Sequence, residues 1–245
     1  MLDALGTILA TTALAVVLTS VVTTMPVQLQ GRLALAGGVG AWVGLAASIA
    51  AAGYLAGNPL TVLAFFTFPL VITGILGLRY LPTRTALRAI PMPLLIGLNL
   101  IRVGGLLFVA LALAGRLAGP FPYTAGLGDF LTGALAIPVA LLAAKVSPSH
   151  NRLIAAWNAF GAFDLIVAVA LGIASRNGSP LQLMHTGVGT AAMTELPWAL
   201  VPTVLVPFFL IAHSIVFAQL RARVPRETAA TSISAGRLEP RVLGG

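Results

Sequence analysis

The chain contains no cysteine, a single lysine and only six acidic residues among 245. Without cysteine there is no disulfide, no thiolate metal site and no cysteine nucleophile. The one lysine, Lys145, stands at the end of an apolar block, which excludes a mid-helix Schiff base of the microbial rhodopsin kind. Bis-histidine haem ligation needs two histidines within the membrane, and only His213 lies inside an apolar block, His150 and His185 falling in connections. No cofactor and no metal is therefore expected. Charged residues make up 8% of the chain, where soluble domains carry about 25%. The net charge of +8 is dispersed in short runs between apolar blocks, so nucleic acid is not an expected partner.

What the chain has in excess is hydrocarbon, with 58% hydrophobic residues and a mean hydropathy of +1.01. A helix of about 20 apolar residues crosses a bilayer. Such stretches run near 3–25, 33–56, 60–78, 93–115, 124–145, 152–175 and 198–219, marked off by polar interruptions. They predict an all-α bundle of seven transmembrane helices over residues 1–220, with the lipid bilayer as its solvent. The first run is too long for a signal peptide and has no basic residue before it. Segment 221–245 is polar, holds Pro225 and Pro240 and cannot bury enough apolar surface to fold alone, so it reads as a disordered basic tail. The longest connection, 176–197, is too apolar for a free loop and is expected to lie at the interface or cap the bundle.

Orientation follows from the basic residues. Arg32, Arg79, Arg84, Arg88, Lys145, Arg152 and the five tail arginines fall on one side, against Arg116 and Arg176 on the other. The expected arrangement is amino terminus outside and carboxyl terminus in the cytoplasm.

A charged side chain within the hydrocarbon costs about 2.5 to 3.5 kcal/mol on the insertion scale, so each one needs a reason. Three sit well inside spans: Arg102, Asp129 and Asp164, with Asn99, Asn158 and His213 as polar company. Gly126, Asp129, Thr132, Gly133 and Ala136 share one helical face; Gly161, Asp164, Ala168 and Gly172 share another. Small residues beside an acid let a neighbouring helix enclose the carboxylate. Asn99, Arg102 and Gly105 form a similar face, whereas His213 has Phe209 and Phe217 at i±4. The six polar residues are thus the candidate proton- or ion-binding set. One arginine against two aspartates leaves one negative charge, which a proton, a cation or a cationic solute would neutralise. Asp164, nearer the midplane, is the expected partner of Arg102, leaving Asp129 as the exchangeable group. The glycine pairs Gly40/Gly44 and Gly53/Gly57 read as helix-contact faces, and Pro69, Pro138, Pro202 and Pro207 as bends.

Gly126-Leu127-Gly128-Asp129 resembles the GxGD segment of presenilins and, more loosely, of type IV prepilin peptidases. That resemblance implies an intramembrane aspartyl protease in which Asp129 and Asp164 share a proton and activate a water. The sequence departs from the pattern: the span before GxGD offers Arg102 where presenilins carry the partner aspartate, and the later Pro-Ala-Leu motif is absent. A guanidinium nearby holds carboxylates ionised, the wrong state for a shared proton. Three longer stretches, "AGLGDFLTGALAIPVALLA", "WNAFGAFDLIVAVALG" and "LPWALVPTVLVPFFLIAHSI", resemble an uncharacterised family of bacterial polytopic membrane proteins. This implies a multi-pass protein of the bacterial inner membrane and supplies no chemistry. The functional expectation is a proton or small-cation transporter or sensor. The alternatives are a GxGD-type protease and a structural subunit that partners another membrane protein or a second copy of itself.

Overall fold

The computed structural model describes residues 1–236 apart from Val146 and Thr186. Seven helices are long and apolar enough to span a membrane: α1 (Leu2–Thr24), α2 (Leu29–Ala51), α3 (Pro59–Arg79), α4 (Met92–Leu113), α5 (Phe121–Ala144), α6 (Ser149–Ala174) and α7 (Val201–Arg223). Among the described residues there is no strand. The protein is an all-α, multi-pass membrane protein. Its connections alternate between two faces: an amino-terminal face carrying Met1, Arg116 and segment 175–200, and an opposite face carrying the α1–α2, α3–α4 and α5–α6 connections.

Local chemistry explains where the helices begin and bend. Asn58 caps α3, its Oδ1 accepting the Leu60 N–H at 2.9 Å, with Pro59 in the first turn where its missing N–H is harmless. In α5 the α-helix breaks at Leu135, three residues before Pro138, as the proline ring displaces the preceding turn. Pro69 lies inside an uninterrupted helix. Helix α7 opens as a π-helical turn, Val201–Leu205, ahead of Pro207. Pro207 cannot donate to the Thr203 carbonyl four residues earlier, and the Trp42 indole N–H donates to it instead at 3.1 Å. Helix α4 is the most unusual. Its middle, Leu98–Gly105, is wound as a 3₁₀ helix for eight residues, flanked by α-helix on both sides. Runs beyond three or four residues are uncommon and often mark a functional segment.

Packing is concentrated in α4 to α7. One apolar cluster fills the half nearer the opposite face, with Leu95, Ile96, Val139, Ile154, Trp157 and Val216. A second fills the half nearer the amino-terminal face, with Phe108, Phe121, Ala125 and Ala168. Met193 and Trp198 of segment 175–200 complete that second cluster. The segment is pinned to the bundle by main-chain acceptors: Thr190 Oγ1 donates to the Gly172 carbonyl at 2.7 Å, and the Leu183 and Met184 N–H groups donate to that of Ala174 at 2.9 Å. Of the two places expected for this long connection, the interface or a cap on the bundle, it takes the second, over α4 to α7.

Two expectations change. Composition put the end of the last helix at 220, but helical backbone runs through Gly236, past Pro225. The expected tail's final residues, 237–245, lie outside the described residues. Gly40, Gly44 and Gly57 have nothing within 4 Å of where a Cβ would stand, so they are not contact faces; Gly53 serves a turn, at φ +77°.

Candidate functional site

Between the two apolar clusters lies a polar layer, and the winding of α4 builds its centre. At three residues per turn, positions i, i+3 and i+6 eclipse. The 3₁₀ segment thus stacks Asn99, Arg102 and Gly105 in one column, and all three are buried. Gly105 lets α5 approach until its Cα abuts Asp129: a Cβ there would lie 2.4 Å from the Asp129 Cβ. Gly126 meets the Gly105 carbonyl in the same way, at 2.8 Å. Gly128 faces α6, and a Cβ on it would fall 1.8 Å from Asp164 Oδ1. The Gly-Leu-Gly-Asp stretch is thus a fitting for two neighbours, with one glycine for α4, one for the α6 carboxylate and the aspartate for Arg102.

Arg102, 3% exposed, is held on every nitrogen. Its Nε donates to Asp129 Oδ1 at 2.6 Å and its NH2 to Asp164 Oδ2 at 2.6 Å. Its NH1 faces the Gly161 carbonyl at 3.2 Å, His213 Nε2 at 3.2 Å and Asn99 Oδ1 at 3.4 Å. The Phe209 ring lies beneath the guanidinium, 5.9 Å from its carbon. Asp129 and Asp164 therefore share one guanidinium at equal distance. The expectation that Arg102 chiefly serves Asp164 is corrected: Nε and NH2 of the planar guanidinium fork donate to oxygens of different carboxylates, so one arginine reaches two helices.

The state of His213 follows from its hydrogen bonds. Asn158 Nδ2 donates to the His213 carbonyl at 3.0 Å, which fixes the amide orientation, since a carbonyl only accepts. Asn158 Oδ1 must then accept from His213 Nδ1, 2.8 Å away. The other ring nitrogen faces Arg102, which can only donate. His213 is thus the neutral Nδ1–H tautomer, set by Asn158 and accepting from Arg102. It adds no charge, so one guanidinium stands against two carboxylates.

All six polar residues singled out from the sequence meet in this one network, on α4, α5, α6 and α7. At about 1.5 Å per residue, Asp129 and Asp164 lie about 12 and 15 Å from the amino-terminal-face ends of their helices. Two oxygens remain open: among the described residues neither Asp129 Oδ2 nor Asp164 Oδ1 accepts a hydrogen bond. Thr132 Oγ1, fully buried one turn beyond Asp129, also has no partner.

Asp129 stands where two cavities meet. One, of about 70 Å³, extends between α3, α5, α6 and α7 past Phe66, Phe108 and Phe121 to Arg176, Thr190 and Thr194. The other, of about 50 Å³, reaches Asp129 and Arg102 from the α1 side, past Gly6 and Trp198. Arg176 is buried at the first cavity's outer end, donating to the Ala56 carbonyl. Burial pulls its guanidinium below the ordinary arginine range. Over the second, Asp3 Oδ1 accepts from Arg116 at 2.6 Å and from the Trp198 indole at 2.7 Å. Sequence reading passed over Asp3 and Trp198, and it noted Phe209 only as a neighbour of His213 one turn away. His185 lies in segment 175–200 and His150 at the start of α6, hydrogen-bonded to the Lys145 carbonyl at 3.3 Å, both away from the network. Among the described residues no group of three metal-ligating side chains forms.

Residues 59–221, from α3 to α7, match the family model described as Domain of unknown function (DUF8737). The chain belongs to this family. The matched DUF8737 region contains the whole Arg102 network and leaves out α1 and α2. No curated protein and no solved structure matches the chain.

Proposed function

We propose that this protein carries or senses a proton or a small organic cation across the membrane, with Asp129 as the exchanging group. One observation supports the reading above all: a single guanidinium is shared by two buried carboxylates, and Asp129, whose second oxygen accepts no hydrogen bond among the described residues, lines both cavities. A group taking up one positive charge there balances the network. The walls favour a proton or an ammonium over a bare metal ion, which needs several oxygen ligands. The Thr190 and Thr194 hydroxyls nearest the first cavity already donate to the carbonyls of Gly172 and Ala191. A protease reading draws on the same two aspartates, but a guanidinium between them favours two ionised carboxylates, opposite to a shared-proton dyad.

The setting we propose is a bacterial cytoplasmic membrane with the amino-terminal face outside, because the basic connections lie on the other face. Reporter fusions after Arg88 and near Ser179 are expected to read cytoplasmic and external respectively.

The functional test uses liposomes with a pH-sensitive dye inside and an imposed potassium diffusion potential. Wild-type protein is expected to move protons, or to take up an alkylammonium in exchange, and Asp129→Asn to abolish this while its melting temperature holds. Absence of both activities in folded wild-type protein, or full activity in Asp129→Asn, overturns the proposal.

A further inference from the structure

Among the described residues, no acidic side chain answers the guanidinium groups on the face opposite the amino terminus. Of the acidic side chains described, Asp3 and Glu195 stand at the amino-terminal face with Arg116, and Asp129 and Asp164 are held by Arg102. Arg84 and Arg88 form no ion pair and no side-chain hydrogen bond among the described residues. They lie four residues apart on a short helix, Leu81–Ala89, whose one buried residue is Ala86. Residues four apart share a helix face.

That face closes one end of a long groove. Helices α3 and α7 stand apart here, leaving about 640 Å³ walled by Leu70, Gly74, Leu78, Leu210 and Ile215, with Arg84 and Arg88 at its end. It is far roomier than either cavity at Asp129. A hydrocarbon slot ending in two unanswered guanidiniums at the membrane boundary has the chemistry of an anionic phospholipid site.

We propose that this groove binds an anionic phospholipid, one acyl chain lying between α3 and α7 and the phosphate bridging Arg84 and Arg88. Charge selects the occupant. The chain's own carboxy-terminal segment sets Arg226, Arg237 and Arg241 against Glu227 and Glu239, so it brings no excess of negative side chains to the groove's end. A zwitterionic lipid brings a cation to the two arginines along with its phosphate. An anionic lipid completes the ion pairs that no described side chain provides, and guanidinium forks suit phosphate oxygens.

The test uses the full-length protein purified in neutral detergent and titrated with phosphatidylglycerol, phosphatidylcholine or inorganic phosphate. Retained lipid is counted by native mass spectrometry and thermal unfolding is followed in parallel. Phosphatidylglycerol is expected to bind at least tenfold more tightly than phosphatidylcholine and to raise the melting temperature, with inorganic phosphate doing neither. Arg84→Gln with Arg88→Gln should abolish the preference between lipids. Gly74→Phe keeps both arginines but fills the slot, since nothing lies within 4 Å of its Cβ position, and should weaken both lipids severalfold. Arg152→Gln, an exposed arginine on the same face outside the groove, should change nothing. Equal affinity for the two lipids, wild-type preference in the double variant, or an equal loss in Arg152→Gln overturns the proposal. So does protection by inorganic phosphate matching that by lipid.

Discussion

Helices α1 to α3 and helices α4 to α7 are equally apolar, yet they stand differently in the molecule. None of α3 is buried within the protein, whereas more than half of the most apolar stretch of α7 is. Hydropathy therefore marks which segments cross the membrane, and something else decides which ones pack on each other. In α4 to α7 that something is a set of polar side chains that lipid cannot satisfy, together with glycines that let the helices close around them. In α2, Gly37, Gly38, Gly40 and Gly44 face open space, and the polar ties of α1 and α2 to the rest are few: the Trp42 indole on the Thr203 carbonyl and the Asp3 carboxylate between Arg116 and Trp198. The family match draws its line one helix earlier, since it takes in α3 along with α4 to α7.

The sharpest test of this contrast removes charge from the shared guanidinium. Either Asp129→Asn or Asp164→Asn alone leaves Arg102 with one carboxylate, a balanced pair, and should change stability little. The double variant leaves a buried, unpaired arginine and should lose about 3 to 5 kcal/mol in thermal or chaotrope unfolding. If one single variant loses as much as the double, the guanidinium is not shared.

A smaller effect is expected from glycines on either side of the line. Gly128→Ala pushes a methyl into Asp164 and should cost about 1 to 3 kcal/mol, as overpacking does. Gly44→Ala on α2 meets nothing within 4 Å and should be neutral, or stabilising by up to about 1 kcal/mol through helix propensity. Equal losses at both positions would erase the distinction between the two groups of helices.

The polar layer was legible in the sequence to an unusual degree, and for a physical reason. A charge inside an apolar run is too costly to lie idle, so Arg102, Asp129 and Asp164 announce themselves, and small residues on the same faces indicate that neighbours approach. What could not be read is equally physical. Gly44 and Gly128 both sit in apolar helices, and only the neighbouring helix decides that one is idle and the other crowded. Nothing local foretells that residues 98–105 wind as 3₁₀, or that one planar fork serves two helices. The apolar composition of segment 176–197 left two places open, the interface or a cap on the bundle, and the contacts of Met193 and Trp198 decide for the cap. The path by which Trp42 answers the carbonyl orphaned by Pro207 joins positions 161 residues apart.

Within the network, His213→Phe removes an acceptor from Arg102 and should cost about 1 to 2 kcal/mol. Nitrogen NMR of histidine-labelled protein should find His213 protonated at Nδ1 and bare at Nε2. The reverse tautomer would break the chain of reasoning from Asn158. At the far end of the scale, Asp3→Asn weakens a tie of α1 whose carboxylate is 55% exposed. Screening makes such pairs worth little, so the expected loss is under about 1 kcal/mol and shrinks further in high salt. A larger loss would make α1 as integral as α5.

The winding of α4 also sets how thick a membrane the protein fits. Eight residues at about 2.0 Å each, where an α-helix rises about 1.5 Å, make the rod about 4 Å longer than its residue count implies. Hydrophobic mismatch is penalised at fractions of a kcal/mol per Å, so a thinner bilayer favours the shorter α-helical winding. Rewound that way, Asn99 and Arg102 would stand about 60° out of line instead of in one column. Bilayer thickness and the aim of the guanidinium are coupled through this one stretch, so acyl-chain length becomes a variable to which the site should respond.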